Sequence, residues 1–410
     1  MNGGRLQGFL ALFFLLIAQW SLAQPLDAIA DSIRQLPDDT NKVKNWSRLA
    51  SAFMQSNLDS AKAFADSTLF LSTRLNYPKG IALGHEKRGT VSHYRGNFLN
   101  AVEYYQKSLT YHEAVDNNRS AAIILTNMGL CKRSLGDFDE AMALYFESLH
   151  RRELIGDSNG VAYSLKSIGE TYAIQKDYEK AEKYFFQSLR AFEELGNIPM
   201  EHTMLLNLGG FYREQGKLDS AEHYIQKGLA YFEVHGPKNE LARAHYNLAG
   251  LYLSRNQLDA SAAAYLISKQ IYEELGFSMR VVGNLISLSK VSKLQGDVSQ
   301  ASAYATEALE QAKLLKTKSQ ISRALLQLSD IYKSTGRYEE AYDYYVQFKT
   351  MEDSISNEEK QRTMLELEEK YQNRLNEQRL SELSAAHEMA EFKLQQKERQ
   401  QLAFILFAVL

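Results

Sequence analysis

The chain has 410 residues, room for two or three ordinary globular domains. Its 47 basic and 50 acidic side chains are interspersed and leave a net charge of −3, so no field here draws in nucleic acid or an anionic membrane. A single cysteine, Cys131, excludes an intrachain disulfide framework and a multi-cysteine metal site, and only five prolines favour long helices.

At the N-terminus, Arg5 gives a small positive region and Phe9 to Ala18 an apolar stretch. Ser21-Leu22-Ala23 then sets small residues at −3 and −1 before Gln24. The pattern predicts a secretory signal peptide over 1–23, too short and wrongly flanked for a transmembrane helix, and a mature protein outside the cytoplasm. Gln24 and not a cysteine stands directly after the cleavage point, so lipobox-type lipid attachment is not indicated. Leu26, Ile29, Ile33 and Leu36 are helically spaced and stop at Pro37-Asp38-Asp39, which predicts a capping helix within 24–41.

Residues 42–355 are organised by a 40-residue lattice. Gly136-Asp137-Phe138 recurs as Gly96-Asn97-Phe98, Lys176-Asp177-Tyr178, Gly216-Lys217-Leu218, Asn256-Gln257-Leu258, Gly296-Asp297-Val298 and Gly336-Arg337-Tyr338, with a weaker Ser56-Asn57-Leu58. Gly156, Gly196, Gly236 and Gly276 lie midway between these marks. Self-similarity at this period signals a stacked helical repeat, and turns every 20 residues leave about 16 per helix, roughly 24 Å.

Each unit assigns its residues a job. Leu125, Leu165 and Leu205, with Met128, Ile168, Leu208 and Leu248, form one apolar stripe on the first helix. Gly89, Gly129, Gly169 and Gly209 follow, with Ala249 later. A helical glycine costs about 1 kcal/mol relative to alanine, so its recurrence predicts that a side chain there would force the two helices of a pair apart. Tyr172, Tyr212, Tyr252 and Tyr332 are placed to fill the neighbouring space. The lattice glycines suit left-handed helix ends, and Asn97, Asp137, Asp177 and Asp297 suit N-caps, Asp137 with Glu140 reading as a capping box. Ala101, Ala141, Ala181, Ala221, Ala301 and Ala341 mark close helix approach, while Ser261 and Ser289 interrupt the pattern in repeats six and seven.

The order Leu208-Gly209, Tyr212, Gly216, Leu218, Ala221, Tyr224, Leu229 resembles the tetratricopeptide repeat. The resemblance implies an all-α fold, a right-handed superhelix (α-solenoid) of about eight helix-turn-helix repeats. The 40-residue unit is similar to the longer-helix variety of animal spindle-orientation adaptors and bacterial peptide-sensing regulators, which implies a deeper groove.

Beyond the lattice, Glu358 to Gln400 lacks Pro and Gly, is dense in charge and is amphipathic, which predicts a long coiled-coil-like connecting helix over 356–400. Its seam loses heptad register near Gln378; it is the segment through which two copies would pair. Leu402 to Leu410 is apolar throughout. Nine residues do not span a bilayer, and 401–410 reads as the start of a transmembrane helix in a chain expected to continue.

No phosphate loop, zinc-protease helix, nucleophile elbow or calcium loop occurs, so no catalytic residue, metal ligand or cofactor is assigned and no enzyme is expected within these residues. The histidines fall at unrelated repeat positions. In the resembled fold the first helices line a concave face that takes peptides. Asn127, Asn207 and Asn247, two residues before the recurrent glycine position, resemble the groove asparagine that pairs with a peptide backbone in longer-repeat relatives. Tyr163, Lys166, Glu170, Arg133, Arg213 and Arg243 flank them. The mixed charge predicts a peptide carrying a carboxylate near the arginines. Such asparagines could equally bond neighbouring helices.

The arrangement resembles Bacteroidetes-type envelope proteins, in which a periplasmic tetratricopeptide array, a connecting helix and one membrane span precede a histidine-kinase or DNA-binding output. The expectation is a periplasmic sensor of a peptide or protein ligand, anchored in the inner membrane. The alternative is an envelope scaffold with no signalling output.

Overall fold

The structure is a computed structural model that describes residues 26–353 and Leu380. The expected signal peptide (1–23), the connecting helix (apart from Leu380) and the apolar run 401–410 lie outside the described residues. The chain divides into two compact units, 1–352 and 353–410, and the repeat array is the first.

The array opens with a capping helix, α1 (Leu26–Arg34), and continues as antiparallel pairs of an A and a B helix. The pairs are α2 (Thr40–Phe53) with α3 (Leu58–Arg74), α4 (Pro78–Tyr94) with α5 (Phe98–Glu113), and α6 (Asn118–Ser134) with α7 (Phe138–Leu154). Next come α8 (Ser158–Ile174) with α9 (Tyr178–Glu194), α10 (Ile198–Glu214) with α11 (Leu218–His235), and α12 (Lys238–Ser254) with α13 (Leu258–Glu274). The last two A helices are α14 (Ser278–Leu294), paired with α15 (Val298–Leu314), and α16 (Lys318–Ser334), paired with the helical run 338–353. That makes eight hairpins of an all-α solenoid, as the lattice predicts.

The turns repeat one backbone device. Gly96, Gly136, Gly156, Gly196, Gly216, Gly276, Gly296 and Gly336 take positive φ, and Asn76, Asp116, Lys176, Asn256 and Lys316 take the same left-handed conformation at the equivalent turns. Gly236 departs from the expected pattern. It is extended (φ −92°, ψ 158°), and α11 runs on to His235. Pro237 follows it, and a residue before proline is pushed to the extended region. The caps also differ in detail. Asp137, Asp177 and Asp297 accept the N–H three residues on, whereas Asn97 makes no cap bond. Glu140 binds Lys132 at 2.7 Å instead of closing a capping box, because that cation stands at the end of the preceding helix.

Packing within a pair explains the recurrent glycine. A Cβ at Gly129 would fall 2.6 Å from the Tyr145 ring, at Gly89 2.7 Å from Tyr105, at Gly169 3.0 Å from Phe185 and at Gly209 2.4 Å from Ile225. In these four pairs the B helix thus lays one large buried side chain across the bare backbone of its A helix. Tyr172 stacks on Tyr184 at 5.6 Å, Tyr212 on Tyr224 at 5.4 Å and Tyr332 on Tyr344 at 5.5 Å. The serines that interrupt the pattern keep it in register by another means. Ser261 donates to the Ala249 carbonyl at 2.8 Å, and Ser289 and Ser329 donate to the carbonyls of Ala301 and Ala341 at 2.7 Å. At these positions a hydroxyl bonds the facing helix where other repeats simply let it approach.

Successive A helices pack on one another (α2 on α4, α6 on α8, α10 on α12, α14 on α16), so the A helices form the inner layer of the curve. The curve closes on itself. Met279 N–H donates to the Gln55 carbonyl and Lys318 N–H to the Arg95 carbonyl, both at 3.4 Å. Lys316 binds Asp59 at 2.7 Å, Arg95 binds the same carboxylate, and Met279 packs into the first repeat's core. Both backbone contacts join repeats six units apart, which sets about six repeats per superhelical turn. At this seam the N-termini of α14 and α16 meet the C-terminal turns of α2 and α4, so free N–H groups find free carbonyls and opposite helix-dipole ends face each other.

Candidate functional site: the concave face

The inner face is built from A-helix positions three and four apart, which fall on one side of a helix. Of the expected groove residues, Arg133 (α6), Glu170 (α8), Asn207 and Arg213 (α10) and Asn247 (α12) line a single cavity of about 360 Å³ with Phe211. Lys166 joins them through Glu170. Arg133 reaches that carboxylate at 3.0 Å and Lys166 at 2.9 Å. Burial opposes ionisation of Glu170, but the two cations outweigh it and hold its carboxyl down to about 2. Two of the expected cations therefore share one carboxylate.

Arg213 is different. It makes no ion pair and no side-chain hydrogen bond among the described residues, and its guanidinium lies across Gly250 of the next repeat. A Cβ there would fall 1.9 Å from Arg213 Nη1. The glycine leaves room for a charged fork at the cavity wall.

The asparagines divide. Asn207 Oδ1 accepts from Arg243 Nη1 at 3.1 Å, and Asn247 Nδ2 donates to the Leu206 carbonyl at 3.3 Å. Each amide thus bonds a neighbouring repeat with one end; Asn207 Nδ2 also donates to the buried Met204 sulfur at 3.6 Å, whereas Asn247 Oδ1 makes no hydrogen bond among the described residues. Asn127 lies on α6 and does not line this cavity; its side chain makes no hydrogen bond among the described residues. Tyr163, 40 % exposed, donates to Met200 sulfur at 3.1 Å and packs edge-on against Phe192, one repeat pair away from Arg213. Arg243 binds Glu240 (Nε to Oε2, 2.9 Å) and turns toward a second cavity further along.

That second cavity holds groove residues that sequence reasoning missed: Arg280 and Asn284 on α14 and Arg323 on α16. Arg280 stands 40 residues after Glu240, and Arg323 80 after Arg243, so the lattice itself marks them as inner-face positions. The interruption at Ser289 hid that signal. Among the described residues no cluster of His, Cys, Asp or Glu is arranged to hold a metal, and no helix is long and apolar enough to cross a membrane. Cys131 is fully buried, 3.3 Å from His93 Nδ1.

Paired helices of near-constant length, small residues at the close approach and an inner face of A helices define a tetratricopeptide-type α-solenoid. The chain belongs to the family of MalT-like TPR regions, whose pattern matches residues 85–313, more than half of its length. A tetratricopeptide repeat is matched again over residues 322–353. No curated protein matches by sequence. Among solved structures, a Rap protein complexed with Competence and Sporulation Factor superposes with a TM-score of 0.54 at 15% identity, covering 81% of this chain and 99% of that one. The Rap conjugation gene regulator of plasmid pLS20, in complex with the Phr* peptide, gives 0.55 at 12% identity over 81% and 95%. The apo quorum sensor NprR from B. thuringiensis gives 0.51 at 15% identity over 79% and 91%. At such identities the likeness shows the fold.

Proposed function

We propose that the array binds an extended peptide, or an extended segment of a protein, along the A helices of repeats three to six, and that Arg213 is its principal anchor. The observation that carries this is the unpaired guanidinium of Arg213, held open by Gly250 in the cavity that Asn247 lines with its half-satisfied amide. Planar guanidinium suits a carboxylate, and an amide with one free end suits a peptide unit of any sequence. Arg133 and Lys166 serve differently: they hold Glu170 ionised, and Glu170 in turn is an acceptor for a ligand N–H or cation. That two of the solved neighbours are complexes with a peptide or a factor is consistent with this reading.

In this proposal the chain is the extracytoplasmic half of a membrane-anchored signalling protein. The leader at 1–23 exports it, the apolar run from Leu402 begins the anchor, and the segment 356–400 carries the ligand signal to an output and pairs two copies. The experiment is peptide capture from a random-sequence library by the purified chain, comparing wild type with Arg213→Ala. Loss of about tenfold or more in retained peptide, with an unchanged melting temperature, is expected for a charge-assisted hydrogen bond. Equal retention would remove Arg213 from the site. N-terminal sequencing of the exported protein is expected to begin at Gln24, and a chain retaining its first 23 residues in the cytoplasm would overturn the exported role.

A further inference from the structure

One lattice position changes character along the array. It lies in the last turn of each B helix, and in repeats four to six it holds Phe192, Phe232 and Tyr272, all buried. In repeats two and three it holds His112 and Arg152, which are buried as well. Five residues on, the cap of the following A helix varies with it. Asn117 follows His112, Asp157 follows Arg152 and Asn197 follows Phe192.

Hydrogen-bond direction fixes the state of His112. The backbone N–H of Ser120 only donates, so the Asn117 atom facing it at 3.3 Å is Oδ1. The other end, Nδ2, lies 3.3 Å from His112 Nδ1 and has only hydrogens to offer. Nδ1 is therefore bare, and the proton of the neutral ring sits on Nε2, which is buried without a hydrogen-bond partner. A second proton, on Nδ1, would point at the Asn117 amide hydrogens. Turning that amide over would satisfy the ring but set Nδ2 against the Ser120 N–H and strip α6 of its cap. The next junction has the opposite chemistry. Arg152 is always charged; burial lowers its pKa, the Asp157 carboxylate works against that, and the same carboxylate caps α8.

The charges around His112 are committed elsewhere. Glu86 on α4 favours the cation but is paired with Lys87 at 2.6 Å. Glu113 on α5 is bound by Arg151 at 2.8 Å, Arg119 on α6 reaches Asp157 at 3.2 Å, and Asp116 is exposed in the turn. The end of α5 favours a cation here and the start of α6 opposes it. A second histidine stands at the far end of α6. His93 on α4 sets Nδ1 3.3 Å from the buried Cys131 thiol, and burial and the like charge of Arg133 both disfavour its protonation.

The geometry points to an acid-operated joint between the second and third hairpins, closed while His112 is neutral and Asn117 caps α6, and opened when His112 takes up a proton. The hairpins before the joint carry the seam contacts of Gln55, Asp59 and Arg95, and those after it carry Arg213 and its cavity. Loosening the joint therefore uncouples the seam from the groove. Burial holds the folded His112 ring below the ordinary value of about 6.5. The joint is thus fully closed above about pH 7 and loosens as pH falls below it, with His93 adding to the loss.

Amide hydrogen exchange of the purified chain, read by mass spectrometry from about pH 7 to about pH 5, compares α6 with α10, whose cap Asn197 follows Phe192. Comparing the two helices at each pH cancels the intrinsic pH dependence of exchange. Protection of α6 is expected to fall relative to α10 by up to about tenfold per pH unit. His112→Phe, which copies Phe192, should remove most of that difference. Asn117→Asp, which copies Asp157, keeps the cap and gives a proton on Nδ1 an acceptor. It should also shrink the difference and raise the pH at which the ring titrates, and it serves if the phenylalanine does not pack. Nitrogen NMR of histidine-labelled protein is expected to find the neutral His112 ring protonated on Nε2. Equal loss of protection in α6 and α10 would make the acid effect global and overturn the joint. A neutral ring protonated on Nδ1, or an Asn117→Asp variant that opens as readily as wild type, would overturn it too.

Discussion

At the scale of the residue, the array separates positions that look alike. Gly209 and Gly210 are adjacent helical glycines, yet a Cβ at the first meets Ile225 at 2.4 Å while nothing lies within 4 Å of the second. Gly209→Ala is expected to destabilise by about 1–3 kcal/mol, the usual cost of overpacking, against the alanine's better helix propensity. Gly210→Ala is expected to stabilise by up to about 1 kcal/mol. Urea unfolding of the two variants gives the signs directly, and a shared sign would refute the packing account. Cys131 makes a second residue-scale prediction. Burial pushes its thiol up to about 12, so the reactive thiolate is scarce at neutral pH. A maleimide should label it slowly in the native protein and rapidly in urea. Nothing in the sequence indicated the contact with His93, because the two residues stand in different repeats.

At the scale of the element, the helices are specified twice, by turn chemistry and by the facing helix. Asp137 caps α7 through its side chain, so Asp137→Ala should cost about 1 kcal/mol. Asn97 occupies the equivalent place without a cap bond, and its Oδ1 is buried unpaired. Asn97→Ala should therefore be close to neutral, and thermal unfolding of the pair checks the contrast. The lattice could show that both residues are turn-formers of the right kind. It could not show which one bonds, since that depends on the rotamer its surroundings leave open. The extension of α11 to His235 is the same lesson in reverse. Gly236 lies on the glycine lattice, but Pro237 decides its conformation. That piece of local chemistry was legible in the sequence and was overridden there by the strength of the period.

At the scale of the whole molecule, stability should depend on pH with a definite sign. Burial lowers the pKa of His85, His93, His112 and His245, His85 to about 4. The unfolded chain protonates these groups near 6.5, so below that pH it binds more protons than the folded chain, and folding is disfavoured. Stability should be flat above about pH 7 and fall as pH drops from about 6.5 toward 4. Glu170, held at about 2 by Lys166 and Arg133 against its burial, adds to the loss below about 4.5 with the same sign. Urea midpoints across that range test it, and a midpoint that rises on acidification from neutral pH would contradict the assignment.

The sequence by itself determined the repeat, its length, the helix pairing and the role of each recurrent Leu, Gly, Tyr and Ala. Those follow from contacts within one hairpin or between neighbours, which a period of 40 residues records directly. It also marked the inner-face positions, among them Asn207, Arg213 and Asn247. Only the tertiary structure decided which of those side chains are spent on each other and which are left open. Arg133 and Arg213 occupy the same lattice position, yet Arg133 is paired with Glu170 and Arg213 is not. Only the tertiary structure brought Gln55 and Tyr94 to Arg280 and Arg323. Small rotations accumulate from repeat to repeat, and where the curve closes depends on their sum, which no single repeat contains.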